Sequence, residues 1–164
     1  MKERTTMMKD QEITSSTIAD FFITKEALTP KKVQKLVYYA YAWFIALNNQ
    51  DADDIENVLF DEAPEAWMHG PVFPELYQKY KGYGWHEIPK NNKTMKFEND
   101  ELEPFLNVIW KKFGKFSADE LEFMTHQESP WQNARQNTPK TAPSAQQIQS
   151  KDIFVYYNEK IPVK

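Results

Sequence analysis

Residues 30–48, PKKVQKLVYYAYAWFIALN, carry apolar side chains on nearly every side of a helical wheel. Val33, Leu36, Val37, Ala40, Phe44 and Leu47 recur at steps of three and four, which defines one face of an α-helix. Tyr38, Tyr41 and Ile45 cover much of the opposite face. A helix with one apolar stripe lies on a surface, whereas a helix apolar on two sides runs through the middle of a bundle with other elements around it. Thr29-Pro30 opens the segment as an N-cap residue followed by proline at the first helical position, where the missing N–H costs nothing. The predicted fold is all-α, a compact single-domain helical bundle around a central buried helix at about residues 30–48, with at most a short strand pair.

The neighbours of that helix are legible by the same rules. Leu102, Phe105, Leu106, Ile109, Trp110 and Phe113 repeat the helical spacing, and Gly114 is placed to end the run. Ser117 with Glu120 reads as a capping box, and Ser129-Pro130 repeats the cap-and-proline device. Shorter helices are predicted near residues 16–26, 71–81, 118–126, 130–136 and 150–159, and a short extended piece at 65–68. Residues 1–14 read as a flexible N-terminal tail and 136–147 as a surface loop, leaving 15–164 as the domain.

Composition excludes several classes of function. The 164 residues contain no cysteine, which removes a disulfide framework, a thiol nucleophile and thiolate metal sites, and fits a reducing, cytoplasmic setting. No stretch approaches the roughly 18 apolar residues of a membrane span, and the polar start MKERTTMMKDQEITSS has no signal-peptide core. The net charge is -4, with 20 basic residues dispersed among acids, which argues against nucleic acid as a partner. The four glycines at 70, 82, 84 and 114 form no phosphate loop, and there is no nucleophile elbow. No cofactor is expected.

Two segments concentrate unusual residues. The first runs from Phe60 to Val72 and gathers Glu65, Trp67, His69, Gly70 and Pro71. Gly70 has access to backbone angles closed to other residues and Pro71 is suited to starting the next helix, which would set His69 on a rigid corner. Two readings stand: Trp67 fills the core while His69 satisfies a backbone carbonyl, or the corner presents these side chains for binding. The second segment runs from Thr125 to Arg135 and supplies His126, Glu128, Pro130, Trp131 and Arg135. Joined, His69, His126, Glu65 and Glu128 would give two imidazoles and two carboxylates, a set able to serve a metal or acid–base chemistry. The spacing is not that of a known zinc motif, and His126 and Glu128 equally suit helix ends. Arg135, four residues after Trp131, suits stacking on an aromatic ring or pairing with a carboxylate. The run from Tyr77 to His86 interleaves rings with cations, a pattern compatible with stacking on single strands; alternatively Tyr77 and Tyr80 pack inward and the glycines end the helix.

Taken in order, these blocks resemble the Panacea domain, the SocA-like, phage-associated family. They are Thr29 with Lys32, then Val33-Gln34-Lys35-Leu36-Val37-Tyr38-Tyr39-Ala40, Phe60, Glu65-Ala66-Trp67, Gly70-Pro71-Val72 and Leu76-Tyr77. Thr125-His126-Gln127-Glu128-Ser129-Pro130-Trp131, Ala134-Arg135, Ile153 and Tyr156-Tyr157 complete the series over about residues 29–157. The resemblance implies an all-helical, non-enzymatic antitoxin of a bacterial or prophage toxin–antitoxin pair, binding a cognate protein toxin encoded beside it. One relative is implied to be an adaptor that delivers its toxin to a protease, which is the nearest alternative; a small hydrolytic or metal-dependent enzyme built on His69 and His126 is the other. Assembly with a second copy of the chain is compatible with either. Residues Glu65, Trp67, His69, Gly70, Pro71, His126, Glu128, Pro130, Trp131 and Arg135 would form one patch that shapes the scaffold or meets the partner. Exposed specificity positions are expected at Tyr80, Tyr83, Trp85 and the 139–144 loop. The net charge suggests an acidic binding surface suited to the basic clefts of toxins that attack RNA.

Overall fold

Helix α1, Ser15–Ile23, begins where Thr14 closes a reciprocal cap: its hydroxyl accepts from the Thr17 amide, and the Thr17 hydroxyl accepts from the Thr14 amide. The computed structural model describes residues 12–162. Of the expected N-terminal tail, residues 1–14, the first eleven lie outside the described residues; Ile13 instead packs against the core and Thr14 is held in the cap of α1. Ile18, Ala19, Phe22 and Ile23 bury one side of α1, and the Ser15 amide donates to Glu62 at 2.8 Å.

Helix α2, Pro30–Asn48, is the central element. Thr29 caps it by accepting from the Lys32 amide at 3.2 Å, with Pro30 in the first turn. Every side chain from Val33 to Ala42 is buried, polar Gln34 and Lys35 included. Around α2 pack α1, the strands β1 (Glu65–Trp67) and β2 (Gly70–Val72), α3 (Pro74–Tyr80), α4 (Leu102–Phe113), α5 (Ala118–His126), α6 (Ser129–Arg135) and α7 (Ser150–Asn158). Direct contacts to α2 come from α1, α3, α4, α5, α7 and β2. The architecture is thus mostly helical with one two-stranded antiparallel pair. Among the described residues no helix is long and apolar enough to cross a membrane.

The core is aromatic. Tyr39 stacks on Phe113 with centroids 4.1 Å apart, and Tyr41, Phe60 and Phe73 meet at 5.1 to 5.4 Å. Offset and edge contacts of this kind add roughly 0.5–1.5 kcal/mol each beyond area burial. Leu47 departs from the expected face: it is 52% exposed, on the outer side of a last turn whose Ile45 and Ala46 are buried. On α4, Leu102, Leu106, Ile109 and Phe113 are buried as the spacing predicts, while Phe105 and Trp110 sit half-buried against the core.

Three local expectations are corrected. Pro71 does not start a helix; it pairs with Ala66 in β2, and α3 begins at Pro74. Proline is tolerated in β2 because the Ala66 amide turns to the other side and donates to Gln146, leaving no ladder bond for Pro71 to lose. Ser129 lies inside α6, and the capping position is Glu128, whose side chain makes no cap bond because it turns into the core. Gly114 does end α4, but with φ −65, so its role is spatial and not conformational. A Cβ there would stand 2.6 Å from the Trp110 carbonyl oxygen and 2.7 Å from its ring.

That crowding gives a direct test. Gly114→Ala should destabilise the fold by roughly 1–3 kcal/mol, whereas Gly82→Ala, which would meet nothing within 4 Å, should change it by no more than about 0.5 kcal/mol. Denaturant midpoints of the two variants measured side by side check this.

Candidate functional site

The two unusual segments of the sequence come together. β1 and β2 form a hairpin with Glu65 opposite Val72, Ala66 opposite Pro71 and Trp67 opposite Gly70, and Met68-His69 at the tip. Gly70 adopts φ +109, a conformation L side chains rarely take, and its bare Cα makes room for Lys35, whose Cε would lie 2.5 Å from an added Cβ. Helix α6 grips the other edge of β1. Arg135 donates to the Ala66 carbonyl at 2.9 Å, and the Trp131 indole donates to the Trp67 carbonyl at 2.9 Å. Arg135 also donates to the carbonyls of Pro139 and Ala142, tying down the following loop, and stands 4.8 Å from the Trp131 ring. The Gln147 region completes the edge: Ala66 donates to Gln146, and Ile148 donates to Pro64, each at 2.8 Å. From the other side Gln34 both accepts from the Phe73 amide and donates to the Phe73 carbonyl.

The alternative cluster of two imidazoles with Glu65 and Glu128 is not assembled. Glu65 accepts from the Trp67 indole at 2.8 Å. Glu128 is buried and accepts from the Tyr39 hydroxyl at 2.8 Å and from the Tyr157 hydroxyl. Burial pushes its carboxyl up to about 7, against the pull of the Tyr157 and Tyr39 hydrogen bonds. The carboxylate that does meet the histidines is Glu122 on α5. His69 Nδ1 lies 3.0 Å from its Oε2, His126 Nε2 lies 3.8 Å from the same oxygen, and Lys31 pairs with its other oxygen. Burial raises the Glu122 carboxyl, but hydrogen bonds from Lys31 and His69 outweigh it and hold the group below the usual range. His69 therefore pairs with an acid and not with a backbone carbonyl. His126 stacks on Trp131, centroids 4.1 Å apart, and desolvation lowers its basicity despite the nearby Glu122. Among the described residues no group of three or more His, Asp or Glu side chains is arranged to hold a metal ion. Glu122 and His126, four apart on one helix, left a faint signal of this arrangement in the sequence; Lys31 left none.

Of the ten expected site residues, Glu65 and His126 are half-buried behind the tip, and burial divides the other eight. Gly70, Pro71, Glu128, Pro130, Trp131 and Arg135 are buried, and their side chains or backbone build the frame. Trp67, half-buried, and His69, exposed, form the accessible tip, with Tyr77 edge-on to Trp67 at 4.9 Å. Hollows open on both sides of this tip. One, of about 480 Å³, is lined by Lys31, Gln34, Lys35, Trp67, His69, Leu76, Tyr77, Tyr80 and Lys81. The other, of about 560 Å³, is lined by Trp67, Met68, His69, Val72 and Pro143-Ser144-Ala145. Against the acidic balance of the whole chain, the first hollow is rich in lysine. In the Tyr77–His86 run, Tyr80 is buried with its hydroxyl donating to Asp20, so it is not a free specificity position, while Trp85 is 81% exposed and stacks on His86.

Glu128 yields a pH test. Its carboxyl stands above the ordinary 4.5 in the folded chain, so the fold holds a proton that the unfolded chain releases. Stability from this group is complete below about pH 4.5 and is lost as pH rises through about 7, a change on the order of 3 kcal/mol. Glu128→Gln should flatten the thermal midpoint over that window, and an unchanged slope would contradict the assignment.

The family model for the antitoxin SocA-like, Panacea domain matches residues 33–132, which takes in α2, the hairpin, α3, α4, α5 and the first half of α6. No curated protein and no solved structure matches the chain. The matched span covers more than half of the 164 residues and includes the first segment whole and the second as far as Gln132, with Arg135 just beyond it. The chain belongs to the SocA-like antitoxin family and carries its Panacea domain.

Proposed function

We propose that this protein is the antitoxin of a toxin–antitoxin pair and neutralises a protein toxin by covering it directly, through the face that carries the Trp67–Gly70 tip. Membership of an antitoxin family makes a protein toxin the partner class. The observation that carries the choice of face is the contrast between a rigidly held frame and an accessible, partly apolar tip. Trp67 and His69 stand between two hollows of about 480 and 560 Å³, while the backbone behind them is held by Gln34 of α2 and by Trp131 and Arg135 of α6. Interfaces draw their energy from a few aromatic and arginine anchors fitting preformed depressions, and a frame that does not move on binding loses little entropy. In this reading the buried members of the motif, Glu128, Pro130, Trp131 and Arg135, position the tip, and Trp67, His69 and the 143–145 loop meet the toxin. Trp85 and Tyr83, both exposed, extend the same aromatic surface beyond α3.

The test is co-expression with the product of the neighbouring reading frame. Growth should be arrested by that product alone, restored by this chain in a protease-deficient host, and accompanied by a stable complex of the two purified proteins. Rescue that requires the protease would instead identify an adaptor. Ala145→Arg, at the rim of the second hollow, should weaken the complex by tenfold or more (about 1.4 kcal/mol) without lowering the thermal midpoint. Val108→Arg, on an exposed position of α4 away from the hairpin, should leave it unchanged. Equal effects of the two substitutions would contradict the proposed face.

A further inference from the structure

Lys35 lines the 480 Å³ hollow, with its ammonium against the Pro71 carbonyl, in a setting that a structural role does not account for. The residue is 1% exposed, yet its side chain lines the cavity. Of its three N–H donors, one is used among the described residues, on the Pro71 carbonyl at 3.2 Å. The carboxylate acting on it is Glu122, which is already bound by Lys31 and His69. A buried cation without its own counter-ion is costly, so such groups are retained where something else supplies the charge. The walls of the hollow are flat and apolar: Trp67 and Tyr77 meet edge to face, with Val72, Leu76 and Tyr80 beside them. The volume is several times that of one carboxylate side chain and falls in the range of small-molecule sites, which are apolar with a few convergent polar groups.

We propose that this hollow binds a small organic oxyanion, a carboxylate or phosphate carried on a flat aromatic or apolar body, with Lys35 as the anion's buried partner and Trp67 and Tyr77 as the wall its body rests on. The site shares Trp67 with the proposed toxin-binding face but rests on Lys35, which the toxin reading does not use, so its failure would leave the neutralisation reading untouched. Charge balance sets its pH behaviour. Burial lowers Lys35 to about 7 in the empty protein, so near neutrality the amine is only partly charged, and an arriving anion draws a proton onto it. The other charged or titratable groups facing the hollow are Lys31 on α2, His69 at the hairpin tip, Glu122 and His126 on α5, and Tyr77, Tyr80 and Lys81 on and just after α3.

The probes are benzoate, phenyl phosphate, inorganic phosphate and benzamide, the neutral counterpart of benzoate. They are titrated into the isotopically labelled full chain while the indole N–H of Trp67 is followed by NMR. Benzoate and phenyl phosphate should shift that signal saturably, at least about tenfold more tightly than benzamide or inorganic phosphate. Their affinity for the unaltered protein should fall by about tenfold between about pH 6.5 and about pH 8.5, as Lys35 loses its proton. Lys35→Met keeps the aliphatic stem and removes a buried charge, so the fold should persist; it should abolish most of the affinity and the pH dependence together, whereas His69→Gln should keep the pH dependence. Benzamide binding as well as benzoate, inorganic phosphate matching phenyl phosphate, a pH-independent affinity, or no saturable shift with either aromatic anion would overturn the proposal.

Discussion

A helix buried at ten successive positions has no surface on which to put a polar side chain, and α2 carries two such residues in that stretch. Gln34 and Lys35 must find partners inside the protein, because a buried amide or ammonium left unpaired costs on the order of 1–3 kcal/mol or more. Both turn to the same short stretch, residues 70–73. Gln34 exchanges two hydrogen bonds with the backbone of Phe73, and Lys35 reaches the Pro71 carbonyl across the space that Gly70 leaves empty. The helix that organises the core is therefore also the element that sets the position of the hairpin. Packing and site geometry follow from one constraint.

The second support comes from the opposite side. Trp131 and Arg135 of α6 take the carbonyls of Trp67 and Ala66, and Arg135 continues to the loop at Pro139 and Ala142. Glu128, at the start of the same helix, is locked to α2 and α7 by two tyrosine hydroxyls. The hairpin is thus clamped between α2 and α6, and its tip, Met68-His69, projects from the clamp. Glu122 adds a half-buried electrostatic hub in which Lys31 and His69 converge on one carboxylate. Shared hubs of this kind order a tip more effectively than isolated surface pairs, which contribute about 0–1 kcal/mol. A rigid tip between two hollows is suited to recognition, where preorganisation reduces the entropy lost on binding.

Much of the fold was legible because helices announce themselves by spacing and punctuation. The two-sided apolar pattern of residues 30–48 identified the central helix, and Thr29-Pro30 and Ser117 with Glu120 marked starts that the structure keeps. The misreadings have common causes. Pro71 and Ser129 were placed at helix starts on local preference, but Gly70 had already turned the chain back as a hairpin, and Glu128 was drawn inward by Tyr39 and Tyr157. Leu47 follows the helical spacing but faces outward from a turn whose Ile45 and Ala46 are buried, which spacing alone does not reveal. At the site, the residue types were found while their pairings were not. Glu65 and Glu128 looked like partners for the histidines, yet the histidines meet on Glu122, and the buried lysine of the cavity read as one more charge in a helix. Pairing across more than fifty residues depends on how α5 lies against the hairpin, which no local pattern encodes.

The central claim is that α2 and α6 hold a hairpin whose tip, with the 143–145 loop beside it, receives the toxin. Hydrogen–deuterium exchange of the chain, free and bound to the product of its neighbouring reading frame, tests this most directly. The account predicts added protection at the 67–70 turn, the 81–86 segment and the 143–147 loop, with α2 and α6 equally slow in both states. Protection confined to the opposite groove around Leu47, Val108 and Ile161, or faster exchange in α6 on binding, would contradict it.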